Sequence, residues 1–216
     1  MSSKEEIFNQ YFLVPKTRFS QNLVAKEREY LGASWISSYF KLLGRRASMP
    51  TLRDFASFLD YLSSGKTVYD GNKKPVDSVD QTLNNILTPK EGRGEFIDAR
   101  FVYLDGKMHI AYHTLNFGTR REVIEPLEEC LMERKNIDLF SWLRNPTAQG
   151  LPRNDVPPGN LEYLPPMVDG VTWFESHPEG MALVCSGDQW NSDENFGTRL
   201  TAPTNALARI LTPKNL

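Results

Sequence analysis

The 216-residue sequence predicts an α+β fold, with a helical N-terminal half beside a small antiparallel sheet built from two β-hairpins. Three observations predict it. Apolar residues recur at helical spacing through the N-terminal third. Asp105-Gly106 sits between two alternating apolar runs, which is a strong hairpin signal. "HPEG", from His177 to Gly180, sits between two more such runs.

The elements follow in order. Ser3 to Glu6 fits a capping box, and Ile7, Phe8, Tyr11 and Phe12 continue it at helical spacing until "VPKTRF" interrupts. From Ser20 to Arg46 the pattern predicts a long helix, with Leu31, Trp35 and Leu42 on one stripe and Gly44 as its stop. Thr51 to Asp54 is a second capping box; Leu52, Phe55, Leu59 and Leu62 form the apolar face behind it, and Gly65 ends that helix. "TVYDGNKKP" is a loop, and a helix from Ser78 to Leu87 stops at Thr88-Pro89. After the Asp105-Gly106 hairpin, "TRREVIEPLEECLMERK" predicts a helix that either kinks at Pro126 or starts there. "DLFSWLRN" adds a turn or two. The Pro-rich stretch 145–166 is expected to be a linker or an extended arm. The second hairpin, "VTWFESHPEGMALVCSG", is followed by the loop-like "DQWNSDENFGTRLTAP" and a short closing helix, "TNALARIL".

The expected organisation is therefore a helical region at 1–90, a hairpin plus helix at 91–144, the Pro-rich arm at 145–166, and the second hairpin with a C-terminal helix at 167–216, all in one compact domain. "LNNILTPK" and "LARILTPK" agree at six of eight positions, but their flanks do not align. Two amphipathic helix ends stopped by Thr-Pro are the plainer account of the echo, with duplication as the alternative.

Composition narrows the function. A net charge of -2 gives no global field toward nucleic acid or membrane. Residues 1–90 carry +4 and the remainder -6, a mild asymmetry. Two cysteines cannot by themselves make a structural zinc site. The polar N-terminus lacks a secretory signal, and no apolar run reaches the ~18 residues of a membrane span, so the expected compartment is the cytoplasm. There is no Walker loop, GxGxxG, GxSxG, HExxH or paired CxxC, and no cofactor is expected.

His109 and His113 have a metal-ligand spacing only if they lie on a helix. The hairpin register puts them on a strand. A two-residue turn at Asp105-Gly106 sets Leu104 opposite Lys107, Tyr103 opposite Met108 and Phe101 opposite Ile110. Ile97, Ala99, Phe101, Tyr103, Met108, Ile110 and Tyr112 then share one apolar face. Asp98, Arg100, Lys107, His109 and His113 share the other, which is expected to be solvated. Two histidines about 13 Å apart along a strand do not converge on one ion. The same register sets His113 opposite Asp98 with Arg100 nearby, which is either a cross-strand charge pair or an oriented general base.

Other candidates have plain alternatives. Cys185 should face the core with Phe174, Met181 and Leu183, and Cys130 should pack with Leu127 and Leu131. His177 lies in a turn. Lys41, Arg45 and Arg46 at a helix end could hold nucleic acid, although cations there also complement the helix dipole. Asp188, Asp193 and Glu194 lack the spacing of a calcium loop.

The expected function is a non-enzymatic binding or assembly protein that engages a protein partner through the Pro-rich arm and an aromatic surface. One alternative is a metal-independent hydrolase or nuclease using Asp98, His113 and Arg100. The other is nucleic-acid binding through Lys41, Arg45 and Arg46.

Overall fold

A computed structural model describes residues 4–17, 20–43, 47–88, 92–116 and 119–203. Its centre is an 11-stranded mixed sheet, not a small one, and the N-terminal half is not helical. Lys4–Phe8 is a short helix, α1, but Tyr11–Thr17 is strand β1 and Ser20–Glu29 is strand β2. The predicted long helix survives only as α2, Trp35–Leu43. The break falls at Gly32, whose φ of +74° belongs to the left-handed region that glycine enters most readily.

The next helices lie where the sequence places them. Helix α3, Leu52–Ser63, starts at the Thr51/Asp54 capping box. After the short strand β3, Tyr69–Asp70, helix α4 spans Val79–Leu87. Strands β4, Arg93–Leu104, and β5, Lys107–Asn116, pair in the register fixed by the hydrophobic pattern, Leu104 with Lys107 and Phe101 with Ile110. The predicted helix after them is instead strand β6, Thr119–Pro126, antiparallel to β5. Its charged residues suit a helix in isolation, but one alternating face finds a partner in β5, and tertiary pairing overrides propensity. Strand β7, Lys135–Ile137, and helix α5, Leu139–Arg144, follow. Strand β8, Leu161–Leu164, is parallel to β10, and β9, Val171–His177, with β10, Gly180–Gly187, is the second hairpin. The expected loop contains strand β11, Phe196–Pro203, in the middle of the sheet between β2 and β4. The expected closing helix lies outside the described residues.

The strand order is β3-β1-β2-β11-β4-β9-β10-β8-β7, and the β5–β6 ribbon extends from the far end of β4. Strand β4 runs parallel to β11 at Gly94 and Glu95, then leaves it for β5. Residues 48–51 occupy the fork: Ser48 pairs with Thr201, and the Asp98 N–H donates to the Pro50 carbonyl at 2.8 Å.

Two apolar layers cover the sheet. Helices α3, α4 and α5 pack on the face that carries Ile97, Phe101, Phe174, Leu183 and Cys185. On the other face α2 packs near Phe96, Trp173, Val184 and Phe196. Residues 145–166 run extended but are built into the first layer, with Leu151, Leu161 and Tyr163 fully buried. The Trp142 indole donates to the Gly150 carbonyl, and a Cβ on Gly150 would stand 2.5 Å from the Arg53 amide nitrogen.

A buried charge network ties the central strands. Arg199 on β11 forks onto Glu95 of β4, Nε to Oε2 at 2.8 Å and Nη2 to Oε1 at 2.9 Å. Arg93 adds a third bond to Glu95 at 2.9 Å. Arg199 also donates to the carbonyls of Ala25 and Lys26 on β2. Burial pushes the Glu95 carboxyl up, but Arg199, Arg93 and Arg28 outweigh it and hold the group below the usual carboxylate range. Among the described residues, no helix is long and apolar enough to cross a membrane.

Candidate functional site

The fork in β4 positions the Asp98–His113 pair. The register turns the His113 N–H toward β4, and it donates to Asp98 Oδ2 at 3.0 Å. The ring's Nδ1 lies 3.1 and 3.2 Å from the two carboxylate oxygens. Contrary to the expected solvated face, both residues are buried, Asp98 at 0% exposure and His113 at 8%. The cover is α2, whose Trp35 and Tyr39 rings stack, and whose Tyr39 hydroxyl lies 3.2 Å from His113 Nε2. Arg120 of β6 closes the side. Its guanidinium lies 4.3 Å from the centre of the Tyr39 ring, and its Nη2 is 3.9 Å from Asp98 Oδ2.

Arg100 does not join Asp98 directly. It reaches Glu122 of β6 at 3.4 Å, and Glu122 in turn stands 4.0 Å from His113 Nε2. The sequence thus identifies the pair but misses Tyr39, Arg120 and Glu122. The latter two were hidden by the helical reading of 119–126, where alternation was the usable signal.

The chemistry of the network follows from its bonds. Asp98 occupies the Nδ1 side of the imidazole at 3.1 Å and the Tyr39 hydroxyl the Nε2 side at 3.2 Å. Both ring nitrogens are then engaged inside the protein. A general base needs a free nitrogen within reach of a substrate proton, so this arrangement fits a clamp between α2, β4, β5 and β6.

The remaining candidates are dispersed. Lys41 lies 5.4 Å from the Tyr30 ring centre, while Arg45 and Arg46 lie outside the described residues. His109 Nδ1 is 3.2 Å from the Lys107 carbonyl oxygen. His177 accepts the Glu179 N–H at 3.3 Å in its turn. Cys185 is fully buried, and burial pushes its thiol far up. Cys130 is 4% exposed, and burial followed by Glu128 raises its thiol to about 11, so neither is a ready nucleophile at neutral pH. Among the described residues, no cluster of three or more His, Cys, Asp or Glu side chains is placed to hold a metal ion.

A second feature is an open groove of about 790 Å³ where β5 begins and β6 ends. Met108, Leu127, Cys130, Leu131 and Met132 give it an apolar lining, with Glu128, Glu129, Glu133, Lys107 and Lys135 among the surrounding charges. Leu127 continues the β5–β6 ladder, its N–H donating to the Met108 carbonyl at 2.9 Å. Met132 is 48% exposed, and Tyr103, opposite Met108 on β4, is 58% exposed. The Asp169 N–H donates to the Phe101 carbonyl of β4, and the preceding Met167 and Val168, just past the Pro-rich stretch, are exposed.

Comparison of the chain with family models, with curated proteins and with solved structures gives no match.

Proposed function

We propose that the protein is a non-enzymatic cytosolic binding or assembly component that engages a protein partner through the groove between β5, β6 and the segment after it. The carrying observation is the apolar lining of Met108, Leu127 and Leu131 left open beside the exposed Met132. Methionine-lined surfaces adapt to apolar side chains of varied shape, and exposed aromatics such as Tyr103 add area at low entropic cost. The Pro-rich segment enters this reading in a narrower form: it supplies Asn154 to the groove, while Leu151, Leu161 and Tyr163 commit much of it to the core. The partner fits as an apolar anchor residue on a segment with mixed charge.

Support over the hydrolase or nuclease alternative comes from the engaged nitrogens of His113. The nucleic-acid alternative rests on Lys41 with Arg45 and Arg46, of which only the first is described. The test is capture of the partner at low and high salt by wild type, by Met132→Glu and by Lys41→Glu. A protein retained at high salt by wild type and Lys41→Glu, but lost from a folded Met132→Glu, is the expected result. A nucleic acid that dissociates with salt and is lost only from Lys41→Glu overturns the proposal.

A further inference from the structure

Strand β6 has one side paired with β5 and one side open. The register and one hydrogen bond fix which backbone groups lie on each. Tyr112 pairs with Val123 and Ile110 with Glu125. The Leu127 N–H bonds to Met108, and the His113 N–H points away from β6 to Asp98. Even-numbered residues of β5 and odd-numbered residues of β6 therefore exchange the ladder bonds. The N–H and C=O groups of Arg120, Glu122 and Ile124 point outward, and among the described residues the Glu122 and Ile124 amides meet no acceptor. Pro126 stands on the same outward side, where its missing N–H costs the β5 ladder nothing.

The charge order along this edge is polar. "TRREVIEP" has its cations, Arg120 and Arg121, at the start and its carboxylates, Glu122 and Glu125, further on. A copy of this strand running antiparallel meets it with the opposite order. Only outward-facing groups can bond across such a seam, so even residues must face even residues. Of the registers that satisfy this, the two that keep most of the strand paired compete, centred on Glu122 and on Val123. Centring on Glu122 sets two carboxylates opposite each other, which is unfavourable. Centring on Val123 sets Val123 against Val123, and Arg121 against Glu125 on both sides of the twofold axis. Glu122 and Ile124 of the two copies then exchange backbone bonds. Side chains in the Arg121–Glu125 position belong to a non-hydrogen-bonded pair, the closer of the two kinds.

We propose that β6 is a self-association edge: two copies of this chain join antiparallel through it, centred on Val123, into one continuous sheet. Glu122 and Ile124 are 42% and 45% exposed on this strand, as an unoccupied edge requires. Phe40, 59% exposed and next to the Tyr39 that Arg120 covers, adds apolar surface on the α2 side. One strand a side covers less than the ~1,200–2,000 Å² of a standard complex, so the dimer forms reversibly with concentration.

Sedimentation velocity over a concentration series tests this with the full chain. Wild type is expected to show a monomer–dimer equilibrium. Ile124→Pro removes an outward donor without touching the β5 ladder, and it should abolish the dimer. Arg121→Glu and Glu125→Arg each set like charges together and should weaken association ~10-fold or more, whereas the double exchange should restore it. Circular dichroism melts confirm that each variant is folded. A wild type that stays monomeric up to its solubility limit overturns the proposal and leaves the edge to a strand of a different protein. A dimer unaffected by Ile124→Pro, or a double exchange that fails to restore association, overturns it equally.

Discussion

At the scale of single residues, burial changes what the Asp98–His113 pair is worth. A cross-strand charge pair on a wet sheet face contributes ~0.2–1 kcal/mol. Here Asp98 is fully buried, and its acceptors are met by the His113 ring and amide, with Arg120 at 3.9 Å. Removing the ring leaves a carboxylate underbonded in a place water does not reach. His113→Gln should therefore cost about 1–3 kcal/mol in urea unfolding, more than a surface pair. Tyr39→Phe, which removes only the hydroxyl facing Nε2, should cost about 0.5–1.5 kcal/mol. The double variant should cost less than the sum, because both changes break one network. Partner capture should survive in both single variants. A Tyr39→Phe chain that keeps its full stability but loses a measurable hydrolytic or nuclease activity would move the network from clamp to catalyst.

Among elements, what the sequence reveals and what it hides divide by the range of the contacts. Helix α3 is legible because a capping box and a 3.6-residue stripe are local. The β4–β5 hairpin is legible because its turn and both faces lie within one short stretch. Strand β2 is not, since "VAKERE" favours a helix locally and becomes a strand only between β1 and the distant β11. Strand β11 is hidden for a different reason: its central Arg199 is buried, so no apolar alternation marks it, and the cause, Glu95, lies on another strand. The Pro-rich segment reads as an arm from composition alone, because proline and glycine signal extended chain without saying what that chain touches. Gly150 decides the matter for its first half. With φ at +95° and the Arg53 backbone 2.5 Å from where a Cβ would sit, Gly150→Ala adds strain and a backbone clash together. It should lower stability by at least ~1–3 kcal/mol, read as a drop in melting temperature. A variant that melts like wild type would return this segment to the status of a loose linker.

Across the whole molecule, the sheet is held at its middle by charge as well as by apolar packing. Glu95, Arg199 and Arg93 join β4 to β11, and Arg199 reaches on to β2, so one carboxylate serves three neighbouring strands. Substituting one partner of such a buried network leaves the other charges uncompensated, and Glu95→Gln should cost about 3–5 kcal/mol at neutral pH. The acid dependence follows from the direction of the Glu95 shift. Its folded-state carboxyl titrates below the ordinary value of 4.5, so the group binds fewer protons in the folded chain than in the unfolded one at acid pH. The stabilisation is complete above that ordinary value and is lost as pH falls through the lowered one. Urea unfolding of wild type and Glu95→Gln across an acid series should show a wide gap near neutrality that narrows only below the ordinary carboxylate range. A gap that is constant over the whole series would mean that Glu95 acts through shape and hydrogen bonding alone, with its charge contributing nothing to the joining of β2, β11 and β4.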